Sequence, residues 1–350
     1  MREIDKGQPV LVTGGSGYLA SWIIKMLLDE GLDVRTTVRD PDNTMKVDHL
    51  HALREASRGN LEIYGADLME AGGFDESMRE CELVIHTASP FFVTGINDPE
   101  TELVQPALEG TRNVLAAAGT HPAVKRVVLT SSVVAIYGDN ADIDAVKGGV
   151  FTEEHWNETS SAAHQPYAYS KTVAEKEAWA IARALDRWDL VVINPGWILG
   201  PSLSKRTDSM SIKTMIEFGS GVYKSGVPRL WNGVVDVRDV AAAHVKAGFT
   251  PEASGRHILV STELTLLQIA DILRQQFGDR YPFPRREAPK FLFWAIAPMY
   301  DRTRRYVSRN VGIPIKFDTS RSRTKLGIAY RPVDQTIRDH FQQLLDDGLV

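Results

Sequence analysis

The sequence predicts an α/β protein with a doubly wound, mostly parallel sheet and a smaller, mostly C-terminal region folded against it. Through the first half, short apolar runs alternate with longer amphipathic segments, which is typical of βαβ units. After Pro195 this alternation weakens, and segments rich in glycine, serine and aromatic residues follow. The 350 residues are enough for one large domain with a second, smaller region.

The elements of the sheet domain can be assigned in chain order. Apolar runs predict strands at residues 10–12, 34–38, 61–64, 83–86, 127–129 and 190–193. Helical periodicity predicts helices at 19–28, which Gly31 ends, at about 100–118 and at 167–185. These elements make a core of six or seven strands.

Two domains are expected. Residues 1–195 form the sheet domain, with an irregular insertion at 139–165, and residues 196–350 form mainly the second region. A part of that region, at about 233–260, is expected to return to the core. The insertion lies between candidate catalytic residues, so we expect it to cover the same cleft.

Composition favours a small-molecule partner. The net charge is −5 and basic residues form no block or stripe, so a nucleic-acid partner is not expected. Cys81 is the single cysteine, and the first ten residues lack the apolar core of a signal peptide, which favours a cytoplasmic monomer or homodimer. The most apolar run, 291–300, is too short to cross a bilayer; it predicts a packed helix or a pocket wall and no membrane partner.

A glycine-rich turn between the first strand and the first helix predicts a dinucleotide site. In the sequence TGGSGYLA, residues 13–20, Gly14, Gly17 and Ala20 stand three apart. Gly14 allows a tight turn, Gly17 lets backbone N–H groups approach the pyrophosphate, and Ala20 allows close helix packing. Tyr18 and Leu19, at the start of the helix, are included among the predicted cofactor contacts.

The residues at the end of the second strand indicate whether the site binds NAD or NADP. Arg39 and Asp40 stand there: an acid binds the ribose 2′-hydroxyl, whereas an arginine binds the 2′-phosphate. A guanidinium group matches phosphate geometry, and Lys46 adds a second positive charge nearby. We therefore expect Arg39 and Lys46 to bind NADP(H).

Tyr167 and Lys171 are the candidate catalytic pair. They are four residues apart on a predicted helix, so both side chains reach the same space. Reducing a ketone requires a proton at oxygen, which tyrosine supplies if its pKa falls from about 10 toward the working pH. One positive charge about 4 Å away is worth roughly 4 kcal/mol, so Lys171 is expected to lower the tyrosine pKa sufficiently.

Ser132 is the candidate hydrogen-bond donor to the substrate oxygen. It follows the strand at 127–129 at the carboxyl edge of the sheet, where ligands of doubly wound folds bind. Ser131 is the competing choice. Tyr169 faces away from Lys171 and is expected to pack, while His86, His155 and His164 have no spacing that indicates a metal site.

The ordered motifs resemble a known family. TGGSGYLA, TVRDPDN, GADL, HTASP, LEGTRNVL, VVLTSS, YAYSK, NPGWILGP, DVRDVA and the C-terminal SRSRTKLGIAYRP resemble those of the extended short-chain dehydrogenases/reductases, most closely the dihydroflavonol 4-reductase-like branch of the NAD-dependent epimerase/dehydratase superfamily. The resemblance covers nearly the whole chain. It implies a Rossmann-type fold, NADP(H), and reduction of an aldehyde or ketone.

The resemblance also assigns roles. It makes Ser132 the catalytic serine, Tyr167 the acid, and Lys171 its activator and a ligand of the nicotinamide ribose. It further implies that Asp67 and Leu68 lie at the adenine, Thr87 and Ala88 along the ribose and pyrophosphate, and Pro195 and Gly196 at the carboxamide. Asn113 is interpreted as structural support near the site.

The substrate does not follow from the resemblance, because residues 133–166 differ from the characteristic residues of plant flavonoid and cinnamoyl-CoA reductases. An aromatic or bulky carbonyl compound, or the corresponding alcohol, is expected in a pocket lined by Phe91, Trp197, Tyr223 and Trp231, each of which could equally belong to the core.

Three alternatives stay open from the sequence: a nucleotide-sugar epimerase or dehydratase, a steroid or sterol dehydrogenase, and a sensor that binds NADP without turning it over. The Arg39 and Lys46 pair argues against the first, and the presence of Ser132, Tyr167 and Lys171 argues against the last.

Overall fold

The computed structural model describes residues 2–89, 98–297 and 303–350. Its strands are β1 (Val10–Thr13), β2 (Val34–Val38), β3 (Leu61–Gly65), β4 (Leu83–His86), β5 (Arg126–Thr130), β6 (Asp189–Pro195), β7 (Trp197–Leu199), β8 (Trp231–Asp236), β9 (Gly255–Leu259) and β10 (Thr262–Thr265). Seven of them form one parallel sheet in the order β3-β2-β1-β4-β5-β6-β9. The strand order reverses between β1 and β4, which is where doubly wound folds bind ligands.

The described residues also form twelve α-helices. They are α1 (Tyr18–Asp29), α2 (Thr44–Ala56), α3 (Asp75–Met78), α4 (Gln105–Thr120), α5 (Pro166–Leu185), α6 (Met210–Ser220), α7 (Val237–Phe249), α8 (Leu266–Phe277), α9 (Lys290–Ile296), α10 (Arg304–Asn310), α11 (Ser320–Lys325) and α12 (Val333–Asp346). The apolar faces of α1, α2 and α7 form one core cluster with the sheet, and those of α3, α4 and α5 form another. Apolar burial on both faces fits the uninterrupted apolar runs of the central strands.

The predicted α/β fold is confirmed, and its large sheet has seven strands where the sequence predicts six or seven. All six predicted strands lie in the large sheet. The seventh, β9, pairs in parallel with β6, with Val191 opposite Gly255. It comes more than fifty residues after β6, so the alternation of the first half gives no sign of it.

The C-terminal half also builds a small sheet of its own, in the order β10-β8-β7. Helices α6, α8 and α12 pack with it around Phe218, Leu273 and Phe341. Within the stretch at 233–260, β8 belongs to this small sheet, whereas α7 packs on α1 and β9 joins the large sheet. The division into domains at residue 195 stays a prediction.

The insertion at 139–165 is held by a buried carboxylate. Asp139 accepts hydrogen bonds from His164 Nε2 at 2.9 Å, Asn310 Nδ2 at 2.7 Å and Arg309 Nε at 2.6 Å. Gln165 then adopts a left-handed conformation, with φ of 57°, directly before α5 begins at Pro166. The insertion and α10 together therefore fix the start of α5.

The apolar run at 291–300, for which the sequence predicts a packed helix or a pocket wall, carries helix α9 in its described part, and Phe293 packs there beside Val307. Residues 298–300 lie outside the described part of the chain. In the rest, Phe291 is 69% exposed and Trp294 is 41% exposed, although Ala297 is buried. Within the described residues, no helix combines the length and the apolar character that a bilayer crossing requires.

Candidate active site

The glycine turn leaves no room for side chains. Gly14 has a φ of 75°, and a Cβ on it would lie 3.0 Å from the Ala88 backbone. A Cβ on Gly15 would overlap the Thr36 side chain at 2.1 Å. Gly17 donates its N–H to the Gly14 carbonyl at 2.8 Å and precedes α1, whose start carries no side-chain cap in the described structure. The unpaired N–H groups of such a first turn suit a phosphate.

The side chains of Tyr18 and Leu19 face away from this turn. The Tyr18 hydroxyl donates to the Gly200 carbonyl, and burial raises the pKa of Tyr18 well above its ordinary value. Leu19 is buried in the core of the sheet domain. Their backbone groups lie in the first turn of α1.

Arg39 and Asp67 lie together at the adenosine end of the predicted site. Arg39 follows β2, its side chain is 75% exposed, and its Nε is 3.6 Å from Asp67 Oδ2. Lys46 is exposed on α2. Asp40 accepts the Asp42 N–H at 3.1 Å, so its carboxylate closes a local turn. This geometry favours Arg39 over Asp40 as the group that faces a ribose.

The ends of β1 and β4 are joined side by side. Thr13 Oγ1 accepts the N–H groups of Thr87 and Ala88, each at 3.2 Å, and also lies 2.8 Å from His86 Nδ1. Next to them, the Leu68 carbonyl accepts a hydrogen bond from Asn113 Nδ2 at 2.7 Å. Asn113 thus supports the segment that was predicted to contact the adenine.

Tyr167 and Lys171 lie one turn apart near the start of α5. Lys171 Nζ donates to Ser89 Oγ at 3.0 Å, a contact that the sequence analysis missed although Ser89 stands in the HTASP motif. Burial lowers the pKa of Lys171 to about 8, and the nearby Glu175 carboxylate opposes this shift. Lys171 is therefore mostly charged at neutral pH.

The tyrosine pKa differs from the expectation. Burial raises the pKa of Tyr167 to about 12, whereas the sequence led us to expect a pKa lowered by Lys171. Tyr167 therefore holds its proton throughout the neutral range, which suits a proton donor. Behind Lys171, burial and then the Lys171 charge lower the pKa of His86 to about 3, so His86 is neutral.

The two serines at the end of β5 differ in their contacts. Ser131 is 5% exposed and donates to the Glu175 carboxylate. Ser132 is half-buried; its Oγ lies 3.4 Å from the Pro195 carbonyl and accepts the Val134 N–H at 3.3 Å. The Ser131 hydroxyl is therefore bound to the buried Glu175 carboxylate, whereas the half-buried Ser132 hydroxyl contacts the backbone of Val134 and Pro195.

Directly after β6, the backbone of Gly196 lies close to the backbone of Gly233. The Gly196 N–H donates to the Leu259 carbonyl at 2.9 Å, and a Cβ on Gly196 would lie 2.3 Å from the Gly233 carbonyl oxygen. Pro195, just before it, is buried at the end of β6 beside Ser132. The strand end that was predicted to bind the carboxamide therefore adjoins the candidate catalytic serine.

The aromatic residues predicted to line a pocket are half-buried. Trp197 Nε1 donates to Ser211 Oγ at 3.1 Å, the Tyr223 hydroxyl donates to Glu217 at 2.7 Å, and Trp231 packs beside the cluster around Phe151. Phe91 lies outside the described residues. Among the described residues, no group of three or more histidine, cysteine, aspartate or glutamate side chains could hold a metal ion.

Comparison with known proteins identifies the family. Residues 10–261 match the NAD dependent epimerase/dehydratase family. The chain is 34% identical to cinnamoyl-CoA reductase CAD2 of Medicago truncatula over 98% of both proteins. It is 35% identical to anthocyanidin reductase of Arabidopsis thaliana over 76% of this chain and 79% of that protein.

A solved structure agrees with these sequence relatives. The crystal structure of Gre2 from Candida albicans in complex with NADPH superposes with a TM-score of 0.78 at 29% identity, and it covers 97% of this chain and 99% of that one. The chain belongs to the NAD dependent epimerase/dehydratase family, in the dihydroflavonol 4-reductase-like branch of the extended short-chain dehydrogenases/reductases.

Proposed function

We propose that this protein reduces an aldehyde or ketone to the alcohol with NADPH, using Tyr167 as proton donor, Lys171 as the cation beside it, and Ser132 as donor to the carbonyl oxygen. The chain is an oxidoreductase of its family, with NADP(H) as cofactor. The observation that supports the proposal is that half-buried Tyr167 and Lys171 lie one turn apart on α5 and half-buried Ser132 directly follows β5, in a fold whose glycine turn suits a dinucleotide.

NADPH would be held at the first turn of α1 and at Arg39, which both fit it. The first turn of α1 offers backbone N–H groups to the pyrophosphate, and the exposed Arg39 guanidinium suits a 2′-phosphate. When bound, the cofactor supplies the hydride. Lys46 adds positive charge on the neighbouring helix.

The chain's own groups then handle the proton. Ser132 donates a hydrogen bond to the carbonyl oxygen and strengthens it as negative charge develops. Tyr167, protonated at neutral pH, gives its proton to that oxygen. The Lys171 ammonium ion, held by Ser89, stabilises the tyrosinate that remains.

An aromatic or bulky carbonyl compound is the proposed substrate class. The half-buried Trp197 and Trp231 side chains lie on the strands of the small sheet, after the strand end that carries Pro195. The named relatives, cinnamoyl-CoA reductase and anthocyanidin reductase, support this class. Neither name decides which compound this chain reduces.

Tyr167→Phe tests the proposal. Initial rates of NADPH and NADH oxidation are measured with aromatic aldehydes, bulky ketones and dihydroflavonols. We expect the variant to lose at least about 100-fold in kcat, the range of general acid catalysis, while NADPH binding is retained. Tyr169→Phe, two residues along the same helix, is the matched control and keeps its rate. A Tyr167→Phe variant as fast as the native protein would refute the proposed role.

A further inference from the structure

Glu175 is a buried carboxylate one helical turn beyond Lys171. It is 1% exposed and accepts hydrogen bonds from Asn194 Nδ2 at 2.8 Å, Arg256 Nε at 2.6 Å and Ser131 Oγ. Trp179 Nε1 adds a longer contact at 3.3 Å. A buried charge with so many donors is fully compensated, as such charges must be.

These donors come from the strand ends that form the candidate site. Ser131 and Ser132 directly follow β5, and Asn194 is adjacent to Pro195 on β6. Asn194 Nδ2 also donates to the Ser132 carbonyl at 3.1 Å. One carboxylate therefore connects the helix that carries Tyr167 and Lys171 to the backbone that carries Ser132.

Arg256 extends this connection to the insertion. Its guanidinium is buried on β9 and donates to the carbonyls of Glu153 at 3.0 Å and Ala135 at 3.2 Å, and it lies 3.9 Å from the centre of the Trp156 ring. With Glu175 it forms a buried ion pair. The ion pair thus holds helix, sheet and insertion in one arrangement.

The same carboxylate lies close to the Lys171 charge. Lys171, Glu175, Ser131, His86 and Ser89 line one cavity of about 20 Å³. The other titratable group there, His86, is neutral, and the side chain that contacts Lys171 Nζ is the uncharged Ser89. Glu175 raises the pKa of Lys171 against the effect of burial.

We propose that Glu175 is a positioning residue of the active site: through Ser131, Asn194 and Arg256 it fixes α5 against the ends of β5 and β6, and its charge holds the Lys171 ammonium ion in place. This inference rests on the proposed function, because it gives Lys171 a catalytic task. It concerns a residue with no substrate contact, so its effect reaches the reaction only through Tyr167, Lys171 and Ser132.

Glu175→Gln tests this proposal, because it keeps the side-chain shape and removes the charge. The Lys171 pKa should fall, by about one unit for a charge one helical turn away. Reduction requires charged Lys171. The alkaline limb of the pH–rate profile should therefore move to lower pH by the same amount. Loss of positioning should lower kcat roughly 10- to 100-fold with little change in the KM for NADPH.

Two controls make the result specific. Glu177→Gln, two residues along α5 and paired with Arg112 at the surface, should change neither the pH profile nor kcat. The double variant Glu175→Gln/Arg256→Gln removes both charges together, so no buried ion is left unpaired. This double variant replaces Glu175→Gln in the experiment if the single variant unfolds. In the double variant we expect the Lys171 pKa to fall as well, but by less than in Glu175→Gln.

The titration of Lys171 is followed directly by NMR of ¹³Cε-labelled lysine, assigned with Lys171→Arg. This readout does not require turnover, so it separates the two proposals: Tyr167→Phe decides the proposed reaction, and the Lys171 titration decides the role of Glu175. An unchanged Lys171 titration in the folded Glu175→Gln protein, or an unchanged kcat, would overturn the inference.

Discussion

At the scale of single residues, contacts decide what each candidate side chain is free to do. Ser131 and Ser132 are adjacent in the sequence, yet the first donates to the Glu175 carboxylate and the second to the Pro195 carbonyl. Arg39 and Asp40 are likewise adjacent, and the Asp40 carboxylate closes its own turn while the Arg39 guanidinium stays exposed. Neighbours in sequence therefore have different chemical tasks.

Arg39→Ala should weaken the binding of NADPH more than that of NADH. A charged hydrogen bond contributes about 1.5–3 kcal/mol, so the Kd for NADPH should rise roughly 10- to 100-fold while that for NADH changes little. Fluorescence titration with both cofactors measures the change. Arg54→Ala, which removes an exposed arginine from the last turn of α2, serves as the control. Equal losses for NADPH and NADH would show that Arg39 does not bind the 2′-phosphate.

At the scale of elements, hydrogen bonds hold both the first turn and the buried face of α5 in place. The insertion holds its first turn through Asp139 and Gln165, and Glu175 holds its buried face. Burial raises the pKa of Asp139, but the hydrogen bonds from His164, Asn310 and Arg309 outweigh it and keep that pKa below its ordinary value. Asp139 therefore stabilises the fold while it is ionised.

Asp139→Asn should destabilise the protein by about 3 kcal/mol, because it leaves buried donors and the Arg309 charge without their anion. In the native protein this contribution is complete above the ordinary aspartate pKa of about 4 and is lost as the pH falls below it. Urea unfolding at pH 7 measures the difference. Asp144→Asn, at an exposed position of the same insertion, should stay within about 0.5 kcal/mol of the native protein. A stable Asp139→Asn protein would mean that the insertion is held by its apolar contacts alone.

At the scale of the whole molecule, the segment after β7 is tied to the glycine turn. The Tyr18 hydroxyl donates to the Gly200 carbonyl, Trp22 Nε1 donates to the Pro201 carbonyl at 2.8 Å, and Arg206 Nη1 donates to the Ser16 carbonyl at 2.9 Å. These contacts join the C-terminal region to the start of α1. The glycine turn and the segment after β7 are therefore held in one arrangement.

Tyr18→Phe should cost about 1–3 kcal/mol of stability, because it leaves the buried Gly200 carbonyl without its donor. NADPH affinity should stay within about twofold, since only the backbone of Tyr18 faces the cofactor turn. Thermal unfolding and NADPH titration of the same sample give both values. A large loss of NADPH affinity at native stability would instead make the Tyr18 side chain a cofactor ligand.

The sequence by itself determined the parallel sheet, the glycine turn and the Tyr167–Lys171 spacing, because strand alternation, a strand–turn–helix motif and a four-residue helical repeat are local patterns. Only the tertiary structure decided the pairing of β9 with β6, the hydrogen bond from Ser131 to Glu175, and the burial that raises the pKa of Tyr167. Arg256 meets Glu175 across 81 residues of sequence, and desolvation depends on everything packed around a group. No local pattern encodes either of these.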